Sequence, residues 1–378
     1  MRDIPMLQLS AFVLLAGGLA VGGWRSWHES HDPMLTAAGT GNVAQIELLT
    51  TADKASWVRA QVYSFNYAHQ GQYQVIAKYV DSREAMQRVL AGAEHPVLWS
   101  PESPVWIVRA NDIWRAKTRH DLVPMEDFSA FRVFLRSPLV FLTTREKAAY
   151  LRPHLGGTHP WTSVYDICSG SIPWHGKLRF AVADPLLSNS GDAGVGMMLT
   201  EYASTHPSSG SLVDIAATPG FGDYLSTIGT GLARSLPSKS TADLTDAYVS
   251  NPSTCDFIVT YENLAFEAAR RNHDLAVIYP APTTVAEQSV AIVDARWVSA
   301  AQRQGADEFM TYVSRPESIE SGLKYDMRSA VPGAGDQVET RLAGYGGQGF
   351  QATFMTEEEP PYLAVNAAAA QWHKHVGG

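Results

Sequence analysis

Cysteine is the scarcest informative residue: Cys168 and Cys255 are the only two in 378 residues. Neither belongs to a CxxC pair, so these thiols do not build a metal site on their own. Charged residues make up only 18% of the chain, and the formal net charge is -9 with no long basic run. That balance excludes nonspecific nucleic-acid binding. A local oxyanion site is still permitted, because N–H groups and hydroxyls can hold an anion without any excess of basic residues. There is no GxSxG, no HExxH and no P-loop. One GxGxxG match, Gly344 to Gly349, lacks both a clear strand before it and a helix after it, so no dinucleotide cofactor is expected. His373 and His375 fall on a terminal helix and are not read as metal ligands.

What the chain does have is enough apolar residue, 45%, to bury a sizeable core, and length for two or more domains. Its N-terminus is unusual. Met6 to Gly23 carries no charge, follows Arg2, and is trailed by Trp24, Arg25 and Trp27. This reads as a secretory signal peptide or a membrane anchor. Cleavage after Ala20 fits the small residues there, and the flanking tryptophans fit an uncleaved anchor. Either way the remainder is expected outside the cytoplasmic membrane, in the periplasm or on the outer face of the cytoplasmic membrane. A disulfide is permitted in that location. A Cys168–Cys255 bridge is the expectation, although sequence separation alone cannot establish a pairing.

After a polar linker over 25–41, apolar strands and amphipathic helices alternate. Strands are predicted over Asn42–Thr51, Tyr73–Val80 and Pro96–Trp99. Helices are predicted over Trp57–His69, Glu84–Ala91 and Val105–Trp114. Short connections between them imply a parallel sheet with crossover helices. Ligands in such sheets lie outside the C-terminal strand ends, here the loops at Thr51, Ser82 and Ser100. The strand SPLVFLT at 137–143 starts with Ser-Pro and can pass into a second sheet. A second α/β unit follows, with strands at Leu178–Ala183, Cys255–Tyr261 and Leu275–Tyr279. Residues 286–294 return as a strand, 297–313 as a long helix, the Gly-rich 333–351 as loop, and Tyr362–Val376 as a last helix. The expected organisation is lobe 1 over 42–137 plus 280–378, with lobe 2 over 138–279 inserted. Two crossings, near Ser137-Pro138 and Tyr279-Pro280, make a hinge.

One stretch stands out in lobe 2. A strand runs into Asp184-Pro185, then Ser188-Asn189-Ser190-Gly191, then a helix from about Asp192. Ser or Asn ahead of a helix can act as the N-cap, and the helix N-terminus is suited to a polar or anionic ligand. Facing it, Asp53, Asp81, Glu84 and Glu102 lie near the mouth and read as helix-dipole partners or ligand groups. Trp99 and Trp106 read as core, with stacking on a planar ligand as the other possibility. Ser188, Ser190 and Asp184 with His175 or His206 leave a secreted hydrolase open as an alternative, without the context of a nucleophile elbow.

Four segments carry a resemblance: EAMQRVLAGAEHPVLWSPESPVWI, SPLVFL, FAVADPLLSNSGDAGVGMMLTEYA and STCDFIVTYENLAFEAARRNHDLAVIYP. In this order they resemble the bacterial extracellular solute-binding proteins of the type II periplasmic fold. That fold is shared by molybdate, sulfate and ferric-iron binders, and the chain looks closest to a branch also found beside von Willebrand A domains. The resemblance implies an α/β fold of two lobes closing on a polar or oxyanion solute, with no catalysis, and ABC-importer membrane subunits as partners. It also implies Thr51, Ser82, Ser190 and Tyr261 as ligand contacts. Ser100, Ser188 and Asn189 join them at the strand ends and the helix start. A membrane-tethered sensor or assembly module without a transporter is the alternative use of the same fold. The chain departs from the molybdate-type pattern at Asp81-Ser82-Arg83, which replaces a small Gly-Ser loop.

Overall fold

A computed structural model describes residues 43–331 and 335–377 of the protein. The uncharged run Met6–Gly23 and the linker after it lie outside the described residues. The first sheet begins with β1 (Ala44–Thr50), α1 (Ala55–Ala68), β2 (Tyr73–Tyr79), α2 (Ser82–Leu90), β3 (Leu98–Ser100) and α3 (Val105–Thr118). β1 is central. It pairs in parallel with β2 along its whole length and with β3 from Leu48↔Leu98 to Thr50↔Ser100. Ala44, Ile46 and Leu48 make one face of it apolar, while on the other face Gln45 and Glu47 precede the buried Leu49. Ile46 and Leu48 pack with Val62 and Phe65 of α1. Leu49 packs with Met86 and Val89 of α2 and Ile107 and Ala110 of α3. Gly71, at φ +81, makes the left-handed turn between α1 and β2 that other residues adopt at a cost.

β4 (Phe131–Thr144) is twice as long as the strand predicted from 137, and it belongs to both sheets. The chain then forms α4 (Arg145–Leu155), α5 (Pro160–Ser169), β5 (Phe180–Ala181), α6 (Asn189–Thr205), α7 (Leu212–Ala216), α8 (Pro219–Gly229) and α9 (Thr241–Ser250). It continues with β6 (Phe257–Tyr261), α10 (Glu262–Arg271), β7 (Leu275–Ile278), β8 (Val285–Ile292), α11 (Ala300–Val313), α12 (Pro316–Glu320) and β9 (Arg328–Ser329). α13 (Gly335–Leu342) and α14 (Tyr362–His375) complete it. The first half of β4 pairs antiparallel with β8, from Phe131↔Ala291 to Pro138↔Val285. Its second half pairs with β6 and β7, starting at Leu139↔Tyr261 and Phe141↔Ile278. The change of sheet falls at Pro138, which has no N–H to give to either ladder. The return crossing runs from β7 to β8, and it is tied to the outgoing one by Leu139 N–H to Thr284 O at 2.9 Å and by Thr283 Oγ1 to Leu139 O at 2.6 Å. Two adjacent crossings therefore join the lobes, where the Ser-Pro and Tyr-Pro pairs placed them.

The second sheet is also covered on both faces. Phe141, Phe257 and Val259 pack under α4, α5 and α6. Val140, Leu142 and Ile258 pack under α9 and α10. The expected disulfide is not formed: Cys168 and Cys255 are free thiols. Cys168 packs against the first of these faces and Cys255 belongs to the second, so the sheet lies between them. Two further expectations change. The Gly-rich 333–351 contains α13 and a short 3-10 turn at Ala343–Gln348 rather than loop alone. The last helix, α14, does not join the first lobe. Its Ala364, Val365, Ala368 and Trp372 enter the core with Met198 of α6 and Phe221 of α8.

Candidate functional site

The lobes meet in a buried polar layer at the ends of β1, β3 and β6 and at the start of α6. All seven residues singled out in the sequence lie in or beside it, and none is more than 2% exposed. On the first lobe, Thr51 donates to Asp53 Oδ1. Ser82, the first residue of α2, donates to Glu102 Oε2 at 3.3 Å and accepts the Glu102 N–H at 3.1 Å. Ser100 turns away, giving its hydroxyl proton to the Ser289 carbonyl of β8 at 2.6 Å. On the second lobe, Asn189 bridges. Its amide donates to the Tyr261 hydroxyl at 2.6 Å and its carbonyl accepts from Trp106 Nε1 of the first lobe at 2.5 Å.

Ser188 occupies the N-cap position of α6 with extended backbone, but its side chain makes no capping bond. Its hydroxyl and that of Ser190 go to Thr241 Oγ1 at 2.9 and 2.6 Å, tying α6 to α9. α6 also starts three residues earlier than the sequence predicts, which puts Ser190 and Gly191 in its first turn. Gly191 is required there: a Cβ would stand 2.2 Å from the Ala183 carbonyl oxygen.

Several residues of the layer were not singled out as candidates. Arg83 of α2 and Arg109 of α3 both reach across to Asp192 of α6, at 2.7 and 3.0 Å. The Arg109 guanidinium lies 4.2 Å from the Trp106 ring centroid and 4.2 Å from that of Tyr362. Lys54 is fully buried, donating to Pro101 O at 2.7 Å and Gln288 Oε1 at 2.6 Å, while Gln288 Nε2 donates to Asp53 Oδ2 at 2.8 Å. Asn263 of α10 crosses the lobes to Asp53 O at 2.8 Å. A signal for Arg109 was present: it is a charged residue three positions after Trp106 in an otherwise apolar helix start. Asp192 marks only the expected start of the helix in the sequence.

The electrostatics of the layer follow from burial. Burial first, and then the charges of Asp53, Asp243 and Glu84, push the Asp81 carboxyl up to about 7. Burial also raises Glu102 well above the usual range, with Asp53 and Asp81 adding to it. Lys54 is brought down to about 8 by burial, against the pull of Asp53 and Glu102. Among the described residues no three acidic, His or Cys side chains converge to hold a metal ion. Beside the layer, Ser103, Val105, Arg136, Glu287 and Thr356–Glu359 line a cavity of about 680 Å³.

Chemically, the layer supplies hydroxyls, amides and charges from both lobes at one level, which is suited to holding a polar molecule. A family comparison matches residues 46–320 to the bacterial extracellular solute-binding proteins. A sequence search among curated proteins finds no match. Among solved structures, the chain is similar to the sulfate-binding protein SubI from Mycobacterium tuberculosis H37Rv, at 18% identity and a TM-score of 0.55, covering 83% of this chain and 94% of that one. It is similar to a putative spermidine/putrescine ABC transporter protein from Listeria monocytogenes, at 12% identity and a TM-score of 0.59, covering 88% and 97%. It is also similar to a periplasmic thiamin binding protein, at 12% identity and a TM-score of 0.60, covering 90% and 99%. With its two-lobe α/β architecture and paired hinge crossings, the chain belongs to the bacterial extracellular solute-binding proteins and is a solute-binding protein of the type II periplasmic fold.

Proposed function

We propose that the protein closes its two lobes on a polar small solute outside the cytoplasm and delivers it to the membrane subunits of an ABC-type importer. The lobes divide at Pro138 on the way out and between Tyr279 and Thr284 on the way back. The observation that carries this reading is the Trp106–Asn189–Tyr261 chain, which joins side chains of both lobes through one amide. Thr51, Ser82, Ser100, Ser188, Ser190 and Tyr261 lie in or beside the same layer and, with Asn189, are the solute contacts of this reading, Ser100 only on releasing the Ser289 carbonyl. Binding without turnover is supported by the serines: Ser188 and Ser190 bond to each other and to Thr241, with no histidine between them. The solved structures named for transporter and periplasmic binding roles support the importer partnership.

Native mass spectrometry of the gently purified chain tests the reading. The expected result is one small-molecule adduct per chain, lost in Asn189→Ala and Ser190→Trp while each variant keeps the wild-type circular dichroism. An adduct retained by both variants would overturn the site assignment.

A further inference from the structure

We propose that the solute is a zwitterion, carrying an ammonium group and a carboxylate in one amino-acid-like molecule, and this rests on the inter-lobe site proposed above. The layer is bipolar. At one pole stand Asp53, Asp81 and Glu102, and among the described residues none of the three is paired with a cationic side chain within ion-pair distance. Asp53 and Glu102 are only 4% and 2% exposed, so water does not take the place of a partner. Lys54, which feels the charges of Asp53 and Glu102, gives its hydrogen bonds to the Pro101 carbonyl and the Gln288 amide instead. Burial raises the Asp81 carboxyl to about 7 and Glu102 well above the usual range, so both hold protons at and below neutral pH in the empty site, and a ligand ammonium beside them would favour their charged forms and release those protons. Among the described residues no three acidic, His or Cys side chains converge as metal ligands must, which favours a ligand ammonium over a metal ion at this pole.

The other pole has the opposite sign. Arg83 and Arg109 share one carboxylate, that of Asp192, leaving one positive charge in excess. Arg109 is 2% exposed, and its Nε and Nη1 have no acceptor; neither has Arg83 Nε. Trp106 and Tyr362 flank the Arg109 guanidinium, so the N–H groups at its edge are the part left to bond. A guanidinium edge is matched to a carboxylate, which can accept two parallel bonds. Glu359 also lies within range of Arg109. Its own carboxyl is pushed up to about 7, by burial first and then by Asp192, which leaves it a weak competitor at and below neutral pH. Trp106, Asn189 and Tyr261 link the two poles, since Tyr261 also feels the Glu102 charge. An oxyanion would satisfy the arginines and leave the acids unpaired. A simple amine would do the reverse.

Calorimetric titration of the full chain, stripped of retained solute, with three probe sets decides between these. The sets are the common α-amino acids with γ-aminobutyrate, then putrescine and choline, then sulfate and molybdate. At least one zwitterion is expected to bind, with affinity reduced about 10-fold or more in Glu102→Gln and separately in Arg109→Lys, which keeps the charge but loses the fork. Binding confined to putrescine or choline, binding confined to the oxyanions, or no heat with any zwitterion overturns the proposal. Loss of affinity in only one of the two folded variants overturns it as well. If a retained solute is displaced by Ser190→Trp yet bears a single kind of charge, the zwitterion proposal falls and the inter-lobe site stands.

Discussion

Asp192→Ala removes the one carboxylate by which α6 holds two arginines of the opposite lobe. With the lobes closed, Arg83 and Arg109 are 5% and 2% exposed, so the variant leaves two charges buried without their partner. Breaking a buried ion pair by deleting one side costs about 3–5 kcal/mol, and the two bonds are not additive because they share Asp192. The cost applies only while the lobes are closed, since in an opened molecule both arginines regain water. At about 1.4 kcal/mol per tenfold, the closed-to-open ratio should fall by roughly two to three and a half orders of magnitude. The lobes themselves lose little: a first-turn acid contributes about 0.3–1 kcal/mol to its helix. Small-angle X-ray scattering should therefore show a larger radius of gyration for the variant, while urea unfolding shifts only slightly. Asp192→Glu, which keeps the charge, should recover part of the compact form. An unchanged radius, or a loss of several kcal/mol in global stability with no change in shape, would refute the reasoning.

Three other outcomes are expected. Arg328→Ala should cost about 3–5 kcal/mol in urea unfolding, because Glu262 is fully buried and Arg328 Nη2 donates to it at 2.6 Å; a loss under 1 kcal/mol would contradict the burial of this ion pair. Thiol labelling of unreduced, denatured protein should count two free thiols, and reductant should leave the melting temperature unchanged; a single bridge would contradict the placement of Cys168 and Cys255 on opposite faces. Asp81, Glu357 and Glu359 have carboxyls raised to about 7, so the folded chain keeps protons that the unfolded chain loses near pH ~4. Their contribution is then fully favourable below pH ~4 and is lost as pH rises through about 7; Asp81→Asn should flatten the fall in melting temperature between pH 5 and 8, in units set by the wild-type slope, and an identical slope in the variant would contradict the burial of Asp81.

The sequence was most legible where local chemistry and tertiary structure agree. Ser137-Pro138 marked the outgoing hinge because proline cannot complete a ladder, and the chain changes sheet there. The strand–helix alternation through Trp114 was readable because Ile46, Leu48 and Leu49 have apolar neighbours on both faces of the sheet. The first half of β4 was missed although Arg132 and Arg136 alternate with apolar residues, since its edge charges made it look like a connection. α9 was missed despite Ser240 capping Asp243 N–H, which is a short-range signal. The glycines of 333–351 masked α13, whose place depends on contacts with β9 and the turn before it. At the site, hydroxyls at strand ends were predictable from topology alone. The partners of Arg83, Arg109 and Lys54 were not, because a charge in a local pattern, whether the apolar run around Arg109 or the polar stretches around Arg83 and Lys54, gives no indication of a partner up to 234 residues away. Asp192 looked like an ordinary first-turn acid until the facing lobe supplied two arginines.

A crystal structure of the chain grown with its retained solute tests the central claim most directly. The account predicts one molecule between the lobes, with an atom in hydrogen-bond range of Asn189 or Tyr261 on one side and of Ser82 or Glu102 on the other, and Arg83 and Arg109 still on Asp192. A solute seated instead in the cavity beside Glu357–Glu359, or on one lobe alone with the inter-lobe layer unchanged, would contradict it.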